Sequence, residues 1–305
     1  MATAEATAGP TSGAGRLPEW IRIRPPKGPL YPEVRELLEG LQLGTVCREA
    51  HCPNLSECWS AGTATLMLLG TDCTRRCGFC AVTTHWPRGE VDRTEPERVA
   101  SAVGKWGLRY VVLTQVCRDD LPDGGASLLR ETVERIRGTA PTTKVELLAG
   151  DLGGSEEALR DVLRHPPEVF AHNVETVRSL SRKIRDPRAG YDRSLGLLRR
   201  ARSLGGNRLV TKTSIMLGLG ETEAEVETTL ADLRDADVDL VTFGQYLSPG
   251  PNHLPVVRYI PPSEFEAWKR RALERGFAAV ESGPLVRSSY HAEELFDRAA
   301  AARRG

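Results

Sequence analysis

Residues 64–80 read A-T-L-M-L-L-G-T-D-C-T-R-R-C-G-F-C and join a short apolar run to a cysteine-rich loop. The run at residues 64–70 is typical of a buried strand, which predicts that the loop follows the carboxyl end of a strand. The loop spaces Cys73, Cys77 and Cys80 as C-x3-C-x2-C. Three thiolates can bind three irons of a cubane cluster and leave the fourth iron free for a small molecule. Structural zinc fits poorly, because it normally takes four ligands, usually from paired C-x2-C knuckles.

Further apolar runs alternate with amphipathic stretches along the chain. Five more strands are predicted at residues 110–114, 144–148, 169–173, 209–217 and 240–247, and helical windows near 95–106, 125–138, 155–164, 175–184, 191–204 and 222–236. This alternation predicts an α/β fold with a parallel sheet and helices outside it. Six βα units are too few for a closed eightfold barrel, so we expect an open, partial (βα)6 barrel.

Chemically distinctive residues cluster where the predicted strands end. Besides the cysteine loop, these are residues 115–120, His172 and Asn173, residues 218–221, and Gln245 with Tyr246. Functional groups of such barrels gather at the carboxyl ends of the strands. We therefore expect these residues to share one face of the sheet.

Two extensions flank the barrel segment, which we place at residues 63–260. Residues 1–15 are interpreted as a disordered tail, residues 16–62 as an N-terminal extension, and residues 261–305 as a C-terminal extension with a strand-like run at 278–280. The N-terminal extension carries Cys47, Cys52 and Cys58 in a C-x4-C-x5-C spacing. This second triplet is also one ligand short of four, which suggests a second cluster with unusual ligation.

Composition limits the classes of partner. Lys+Arg and Asp+Glu both number 41 in 305 residues, so the formal charge is zero. Nucleic acid is not expected as a partner, because phosphate binding requires a basic surface. No apolar stretch reaches the ~18 residues that span a bilayer, so no membrane partner is expected either. Cysteines confined to part of a long chain favour metal ligation in a reducing cytoplasm over disulfides.

The C-x3-C-x2-C loop after a first strand resembles the signature of radical S-adenosylmethionine (SAM) enzymes. The resemblance implies a [4Fe–4S] cluster on Cys73, Cys77 and Cys80, whose free iron chelates the amino and carboxylate groups of SAM. Phe79 fits the aromatic residue usually found before the last cysteine. Reductive cleavage of SAM would release methionine and a 5′-deoxyadenosyl radical.

The wider pattern resembles the lipoyl synthase family from Pro18 to Ala292. The segments that carry the resemblance are the cysteine motif at 47–58, R-D-D-L-P-D-G-G-A at 118–126, H-N-V-E at 172–175, G-L-G-E-T at 218–222, G-Q-Y-L at 244–247 and R-S-S-Y at 287–290. The first of these resembles the auxiliary-cluster segment of the family, and R-S-S-Y its C-terminal signature.

The resemblance assigns roles to individual residues. It implies a second [4Fe–4S] cluster, the auxiliary cluster, on Cys47, Cys52, Cys58 and Ser289. A serine oxygen is a weaker ligand for iron than a thiolate, so Ser289 could leave as the cluster is dismantled. For SAM, it implies contacts with Gly124, Gly125, Asn173 and Glu175. From the residues alone, a turn at Ser288 and Ser289 is the favoured interpretation, and a helix cap at Asn173 is as simple as a ligand contact.

One position departs from the family pattern. Cys117 stands where we expect aspartate in V-D-R-D-D-L, and we interpret it as a small buried residue near a strand end. Any contact that this aspartate makes with SAM or substrate is in doubt here. His51, His253 and His291 are assigned no metal, because the triplets, Ser289 and SAM complete both ligand sets.

The resemblance implies radical insertion of two sulfur atoms at C6 and C8 of a protein-bound octanoyl-lysine. The implied partners are octanoylated carrier domains of 2-oxoacid dehydrogenases or the glycine-cleavage H protein, a low-potential electron donor and a cluster-assembly or repair protein. One alternative is a radical SAM enzyme that inserts sulfur into a free small molecule, as biotin synthase does. Another is a non-catalytic iron–sulfur electron carrier, which would not cleave SAM.

Overall fold

A single eight-stranded sheet organises the computed structural model, which describes residues 17–23, 30–61 and 63–302. The strands are β1 (Gly44–Thr45), β2 (Thr65–Leu68), β3 (Tyr110–Gln115), β4 (Lys144–Leu148), β5 (Val169–Ala171), β6 (Val210–Leu217), β7 (Leu240–Gln245) and β8 (Ala279–Gly283). They follow one another in chain order, and only the β1–β2 pair is antiparallel. The predicted tail at 1–15 lies outside the described residues.

The helices lie between the strands, as the alternation predicted. They are α1 (Leu30–Gly40), α2 (Val46–Glu49), α3 (Leu55–Ser60), α4 (Glu95–Trp106), α5 (Ala126–Thr139), α6 (Glu156–Val162), α7 (Arg178–Ile184), α8 (Tyr191–Gly205), α9 (Glu223–Asp235), α10 (Pro262–Glu274) and α11 (Ala292–Ala302), with 3-10 turns at Leu152–Gly154 and Gly206–Arg208. The window near 175–184 becomes helical only at Arg178, because Glu175 has a φ of 67° and bridges to Ile215 instead.

The partial barrel is confirmed, and the strand count is larger than six. All six predicted strands are present as β2–β7, and each extension adds one strand, β1 at one edge and β8 at the other. Within the described residues β1 and β8 are not hydrogen-bonded to each other, so the barrel remains open. Because one sheet runs through both extensions, the boundaries at 62 and 260 remain predictions about sequence organisation.

Alternate residues of each strand face opposite sides of the sheet, which separates the core from the barrel interior. Outward residues pack under the helices, as Val145 and Leu147 do. At the amino-terminal end, the interior is filled by Lys212, whose Nζ lies 2.8 Å from Glu146 Oε1, both side chains being 1% exposed. The Tyr110 hydroxyl donates to Glu146 Oε2 at 2.7 Å. Removing either charge would leave its partner buried and unpaired, which would destabilise the fold. The pair therefore belongs to the core at that end of the barrel.

Candidate active site

A cavity of about 580 Å³ opens at the carboxyl ends of the strands. Residues that close predicted strands line it, among them Gln115, Cys117, His172, Asn173, Gln245 and Tyr246. The predicted convergence on one face is therefore confirmed for these positions. Residues 218–221 do not line the cavity. Instead, the Glu221 carboxylate accepts hydrogen bonds from the amides of Gly218 and Leu219 at 2.6 and 2.9 Å and closes its own turn.

The cysteine loop forms one wall of the cavity, with Cys73, Cys77 and Cys80 in its lining. Protein hydrogen bonds hold its backbone along its length. The Thr74 amide donates to Cys117 O at 3.0 Å, the Gly78 amide donates to Ile184 O at 2.8 Å, and Gly78 O accepts from the amide of Leu254 at 3.0 Å. Three different parts of the barrel therefore fix the loop.

Arg75, between the first two cysteines of the loop, anchors it from within. Its guanidinium donates to Asp119 Oδ1 at 2.7 Å and to Asp151 Oδ1 at 2.6 Å, and its side chain is 4% exposed. Burial alone would raise the pKa of Asp151, but hydrogen bonds and the charge of Arg75 outweigh it and hold the pKa below its ordinary value. The loop is thus tied to the segments that follow β3 and β4.

A second wall consists of polar residues after β5. Asn173 and Glu175 line the cavity with Arg185, whose Nη1 donates to Ser194 Oγ at 2.9 Å. Burial raises the pKa of Glu175, and the charge of Arg185 and a hydrogen bond from Asn173 oppose this rise. This wall can bind a ligand that carries both charged and hydroxyl groups.

Two buried oxygen atoms on the cavity wall lack a partner. Gln115 Oε1 and Asn173 Oδ1 accept no hydrogen bond from any described residue. An unsatisfied buried oxygen costs about 1–3 kcal/mol, so both atoms favour a ligand that donates hydrogen bonds. Hydroxyl or amino groups of a bound small molecule would satisfy them.

The three loop thiols fit a cluster better than a single metal ion. No three His, Cys, Asp or Glu side chains in the described ranges are close enough to share one metal ion. A cubane instead takes each thiolate on a different iron. Contact with the Cys117 thiol lowers the pKa of Cys73 to about 6, whereas burial raises the pKa of Cys80 to about 12.

Cys117 lies next to the loop as a partly buried residue after β3 and lines the cavity. Its thiol donates to Cys73, and its carbonyl accepts from both the amide and the hydroxyl of Thr74. A side chain at Gly150 would approach its sulfur to 3.2 Å. Cys117 is therefore a packing neighbour of a predicted cluster ligand.

The first cysteine triplet forms a separate group beside the cavity. The Cys52 amide donates to Cys47 O at 3.0 Å. Burial, followed by repulsion from the other two cysteines, raises the pKa of Cys58 to about 12. Arg287 is partly buried near Cys52. Loss of solvent lowers the pKa of Arg287, and the charge of Cys52 opposes this shift. Three thiols and a partly buried cation therefore share one region, which suits an anionic cluster.

The C-terminal segment closes over this group. Asn54 Nδ2 donates to Leu285 O at 2.6 Å, and the Tyr290 hydroxyl donates to Glu57 Oε1 at 3.2 Å. These contacts join residues more than 230 positions apart. Ser289 lies in the same segment, between Arg287 and Tyr290.

Gly124 and Gly125 have a structural explanation that involves no ligand. Neither lines the cavity. Both have positive φ, and a side chain at Gly125 would come within 2.2 Å of Leu69 Cδ1, while one at Gly124 would come within 3.1 Å of Leu152 Cα. These glycines permit the turn into α5 and its close packing, and their contact with SAM stays a prediction.

The three histidines considered in the sequence have protein contacts. His253 Nε2 lies 3.2 Å from Cys80 O, and His291 Nδ1 lies 3.0 Å from Glu294 Oε2. His51 lines the cavity with a φ of 49°. Sequence reasoning missed Arg75 and Arg185; the only available signal was the pair of arginines inside the cysteine loop, Arg75 and Arg76.

His172 predicts a pH dependence of stability. Burial, then the charge of Arg185, lowers its pKa to about 4, although Ala149 O and Asp151 oppose the shift. The unfolded chain, with a histidine pKa near 6.5, therefore binds this proton more readily. Stability is full above about pH 6.5 and falls as the pH drops toward 4, by about 2 kcal/mol between pH 7.5 and 5.

Urea denaturation at the two pH values measures this loss. His172→Gln should lack it, whereas the control His165→Gln, at an exposed position, should keep it. Equal pH slopes in the parent and His172→Gln would contradict the assignment.

No helix among residues 17–23, 30–61 and 63–302 has both the length and the apolar character that crossing a membrane requires.

Solved structures share the fold of this chain. The FeFe-hydrogenase maturase HydG from Carboxydothermus hydrogenoformans superposes with a TM-score of 0.57 at 14% identity, over 88% of this chain and 68% of that one. Streptococcus suis SuiB bound to S-adenosylmethionine superposes with a TM-score of 0.56 at 12% identity, over 76% of this chain and 55% of that one. At these identities the likeness establishes the fold alone.

Sequence comparison is more specific. Residues 67–233 match the model of the Radical SAM superfamily. Lipoyl synthase of Halorhodospira halophila is 53% identical over 92% of this chain and 84% of its own length, and that of Thermus thermophilus is 52% identical over 92% and 86%. The mitochondrial lipoyl synthase of Eremothecium gossypii is 51% identical over 92% and 77%. With the cysteine loop, the open barrel and the cavity between the two cysteine triplets, these similarities establish that the chain belongs to the lipoyl synthase family of radical SAM enzymes, which use SAM and a [4Fe–4S] cluster.

Proposed function

We propose that this chain inserts two sulfur atoms at C6 and C8 of an octanoyl group that is amide-linked to a lysine of a carrier protein. The observation that carries the proposal is the position of the cavity between the two cysteine triplets. Cys73, Cys77 and Cys80 line one side of it, and Val46, Ala50, His51 and Pro53, which flank Cys47 and Cys52, also line it. A substrate in this cavity would contact both regions.

Radical chemistry is necessary because the C–H bonds at C6 and C8 are unactivated, so no acid or base side chain could open them. When bound, the cluster and SAM supply this chemistry, and the protein supplies orientation and exclusion of water. Cys73, Cys77 and Cys80 would hold the cluster. Apolar residues of the lining, including Val46, Met216 and Val286, would surround the octanoyl chain and keep water away.

Two polar residues after β5 and an arginine would bind SAM. The unpaired Oδ1 of Asn173 can accept a hydrogen bond from a ribose hydroxyl, and Glu175 can accept others. Arg185 donates hydrogen bonds from Nη1 to Val174 O and Ser194 Oγ, and it also lines the cavity. Its positive charge suits the carboxylate of SAM.

The second cluster is the less direct part of the proposal. Cys47, Cys52, Cys58 and Ser289 would bind it, supported by the contacts that draw residues 285–290 over the first triplet. Its sulfide would be the source of the inserted sulfur, and a serine ligand would release iron more easily than a fourth cysteine. The partly buried Arg287 would offset the negative charge of the cluster.

The partners follow from this chemistry. We propose octanoylated carrier domains of 2-oxoacid dehydrogenases or the glycine-cleavage H protein as substrates, with a low-potential electron donor and a cluster-assembly protein. We place the enzyme in the cytoplasm, where a reducing environment keeps free the seven cysteines that the structure contains.

Anaerobic reconstitution tests the proposed function. The protein is loaded with iron and sulfide, then mixed with dithionite, SAM and an octanoyl-lysine peptide, and the products are read by mass spectrometry. Two added sulfurs together with 5′-deoxyadenosine are the expected result. Deoxyadenosine without sulfur would reopen the choice of substrate. Neither product, from protein that holds both clusters, would favour an electron carrier.

Cys52→Ala separates the two clusters. Loss of one ligand should remove about four irons per chain and stop sulfur insertion, while SAM cleavage continues on the other cluster. Iron content and product masses measure both effects. Cys117→Ala is the matched control, because it removes the one cysteine assigned to neither cluster, and it should retain sulfur insertion. A normal lipoyl yield from Cys52→Ala would remove the auxiliary cluster from the mechanism.

A further inference from the structure

An exposed basic surface covers the outer side of the cysteine loop. Arg76, Trp86, Arg182, Lys183 and Arg188 form it, and we refer to them as the loop-side surface. All five are exposed, and Trp86 is among the exposed large hydrophobic residues at 47%. Aromatic and arginine side chains are enriched at protein interfaces and often dominate their binding energy.

A side-chain contact and several hydrogen bonds to the backbone connect these residues. The Arg188 guanidinium carbon lies 5.9 Å from the centre of the Trp86 ring, and its Nη2 donates to Thr74 O at 2.7 Å. The Arg76 amide donates to Asp186 Oδ2 at 2.9 Å. The end of α7, which carries Arg182 and Lys183, is bound to the loop through the Gly78 amide and Ile184 O.

Among the described residues, ion pairs neutralise only one of the four cations of this surface, Arg188, which pairs with Asp186 and Asp119. Residues 178–193 include five exposed Lys or Arg and two Asp, besides the buried Arg185 of the cavity wall, in a chain whose formal charge is zero. Asp192 pairs with Arg178, and Asp186 pairs with Arg188. Arg76, Arg182 and Lys183 have no ion-pair partner within the part of the chain that the structure describes. The surface therefore presents an excess of cations.

The surface lies close to a predicted cluster ligand. Arg76 precedes Cys77 in the chain, and the Asp186 amide donates to Cys77 Sγ at 3.3 Å. That amide belongs to the segment between Lys183 and Arg188. A redox centre that docks here would therefore be separated from the Cys77 thiolate by one short loop.

We propose that the loop-side surface is the docking site for an acidic electron-transfer protein that reduces the SAM cluster. The inference rests on the proposed function, which requires one electron for each SAM cleaved. The partner gives up one electron and the cluster accepts it, with no proton or group transferred. Attraction between opposite charges would orient the partner with its redox centre toward Cys77.

The position of the surface favours an electron carrier over the octanoylated substrate. None of its five residues lines the cavity, whereas an octanoyl chain must enter the cavity to reach both cysteine triplets. An electron needs no open path, because it can pass through the packed loop. The two kinds of partner would then use different faces of the same wall.

A double charge reversal tests the proposal in the loaded enzyme. Arg182→Glu with Lys183→Glu reverses two cations that touch neither the cavity nor a predicted ligand. The matched control is Lys105→Glu with Arg208→Glu, since these exposed cations also lie in last helical turns, before β3 and β6 at the opposite end of the strands. Reduced acidic flavodoxin is the probe, with dithionite as the chemical donor.

Binding is measured by calorimetry and electron transfer by 5′-deoxyadenosine formation. We expect the double variant to bind flavodoxin at least about 10-fold more weakly and to cleave SAM correspondingly more slowly with it. The difference in flavodoxin affinity between the double variant and the parent should become smaller as NaCl rises from about 50 to 300 mM. Rates with dithionite, and every value of the control, should remain within about twofold of the parent.

Other outcomes overturn the proposal in distinguishable ways. Unchanged flavodoxin affinity would exclude the surface as a docking site. A matching loss with dithionite would show an effect on the cluster rather than on docking. If the variant processed an octanoylated carrier domain poorly and an octanoyl-lysine peptide normally, the surface would instead be the binding site of the carrier domain. A parent enzyme inactive even with dithionite would contradict the proposed function, not this surface.

Discussion

Replacing Cys77 with alanine is expected to abolish reductive cleavage of SAM. Cys77 supplies one of only three thiolates in the cysteine loop, so the variant would retain two ligands for four irons. Loss of residues that only support metal ligands typically lowers metal affinity or activity by about 10–100-fold. We expect loss of a ligand itself to lower SAM cleavage by at least about 100-fold. The measurement is 5′-deoxyadenosine released per chain, with dithionite as the donor.

Two controls make this result specific. Cys52→Ala removes a thiolate from the other triplet and should still yield 5′-deoxyadenosine. Cys117→Ala removes the thiol that contacts Cys73 and should also retain cleavage, because Cys117 is assigned to no cluster. Continued formation of 5′-deoxyadenosine by Cys77→Ala would contradict the assignment of the SAM cluster to this loop.

Most of the sheet was predictable because buried parallel strands are continuous apolar runs in the sequence. The predicted strand at 144–148 coincides with β4, and the predicted helix at 95–106 coincides with α4. The two edge strands were harder. β1 has only two residues, Gly44 and Thr45, which is too short for any periodicity. The run at 278–280 was recognised as strand-like, but its pairing with β7 depends on long-range hydrogen bonds.

The sequence predicted those site residues whose type and spacing are distinctive by themselves. It did not predict residues whose role depends on partners far away in the chain. Cysteine spacing identifies the loop, and strand ends identify the cavity face. Arg75 could not be interpreted in this way, because its partners lie 44 and 76 positions further along the chain. At Gly124 and Gly125, tight packing against Leu152 and Leu69 gives a structural reason for glycine that the sequence alone did not reveal, and their contact with SAM stays a prediction.

Arg75→Met is expected to destabilise the fold by about 3–5 kcal/mol, because it removes the buried counter-charge that Asp119 and Asp151 share and leaves them only the more exposed Arg188 and Arg193. Asp151 is 1% exposed and Asp119 is partly buried, and Arg75 bonds to both. Chemical denaturation of the cluster-free protein measures this loss. Arg76→Met is the matched control: the neighbouring arginine is exposed, so its loss should change stability by less than about 0.5 kcal/mol.

The pH dependence distinguishes stranded charge from lost packing. In the parent, the pKa values of Asp119 and Asp151 are held below the ordinary value, so their contribution to stability is present above about pH 4 and is lost as the pH falls. Without Arg75, burial should raise both pKa values, and protonation would then stabilise the folded variant. The difference in stability between parent and Arg75→Met should therefore narrow from pH 7 toward pH 4.

Neutralising the carboxylates should reproduce this recovery at pH 7. Arg75→Met combined with Asp119→Asn and Asp151→Asn removes the buried charges but keeps side chains that can accept hydrogen bonds, as Asp151 does from the Gly153 amide. We expect the triple variant to regain most of the lost stability. Two results together would contradict this expectation: a stability difference between the parent and Arg75→Met that does not change with pH, and a triple variant no more stable than Arg75→Met. They would mean that packing of the arginine stem, and not its charge, provides most of the stability. Because the same side chain joins the cysteine loop to the segments after β3 and β4, the ion pairs would then be a consequence of the loop geometry rather than its cause.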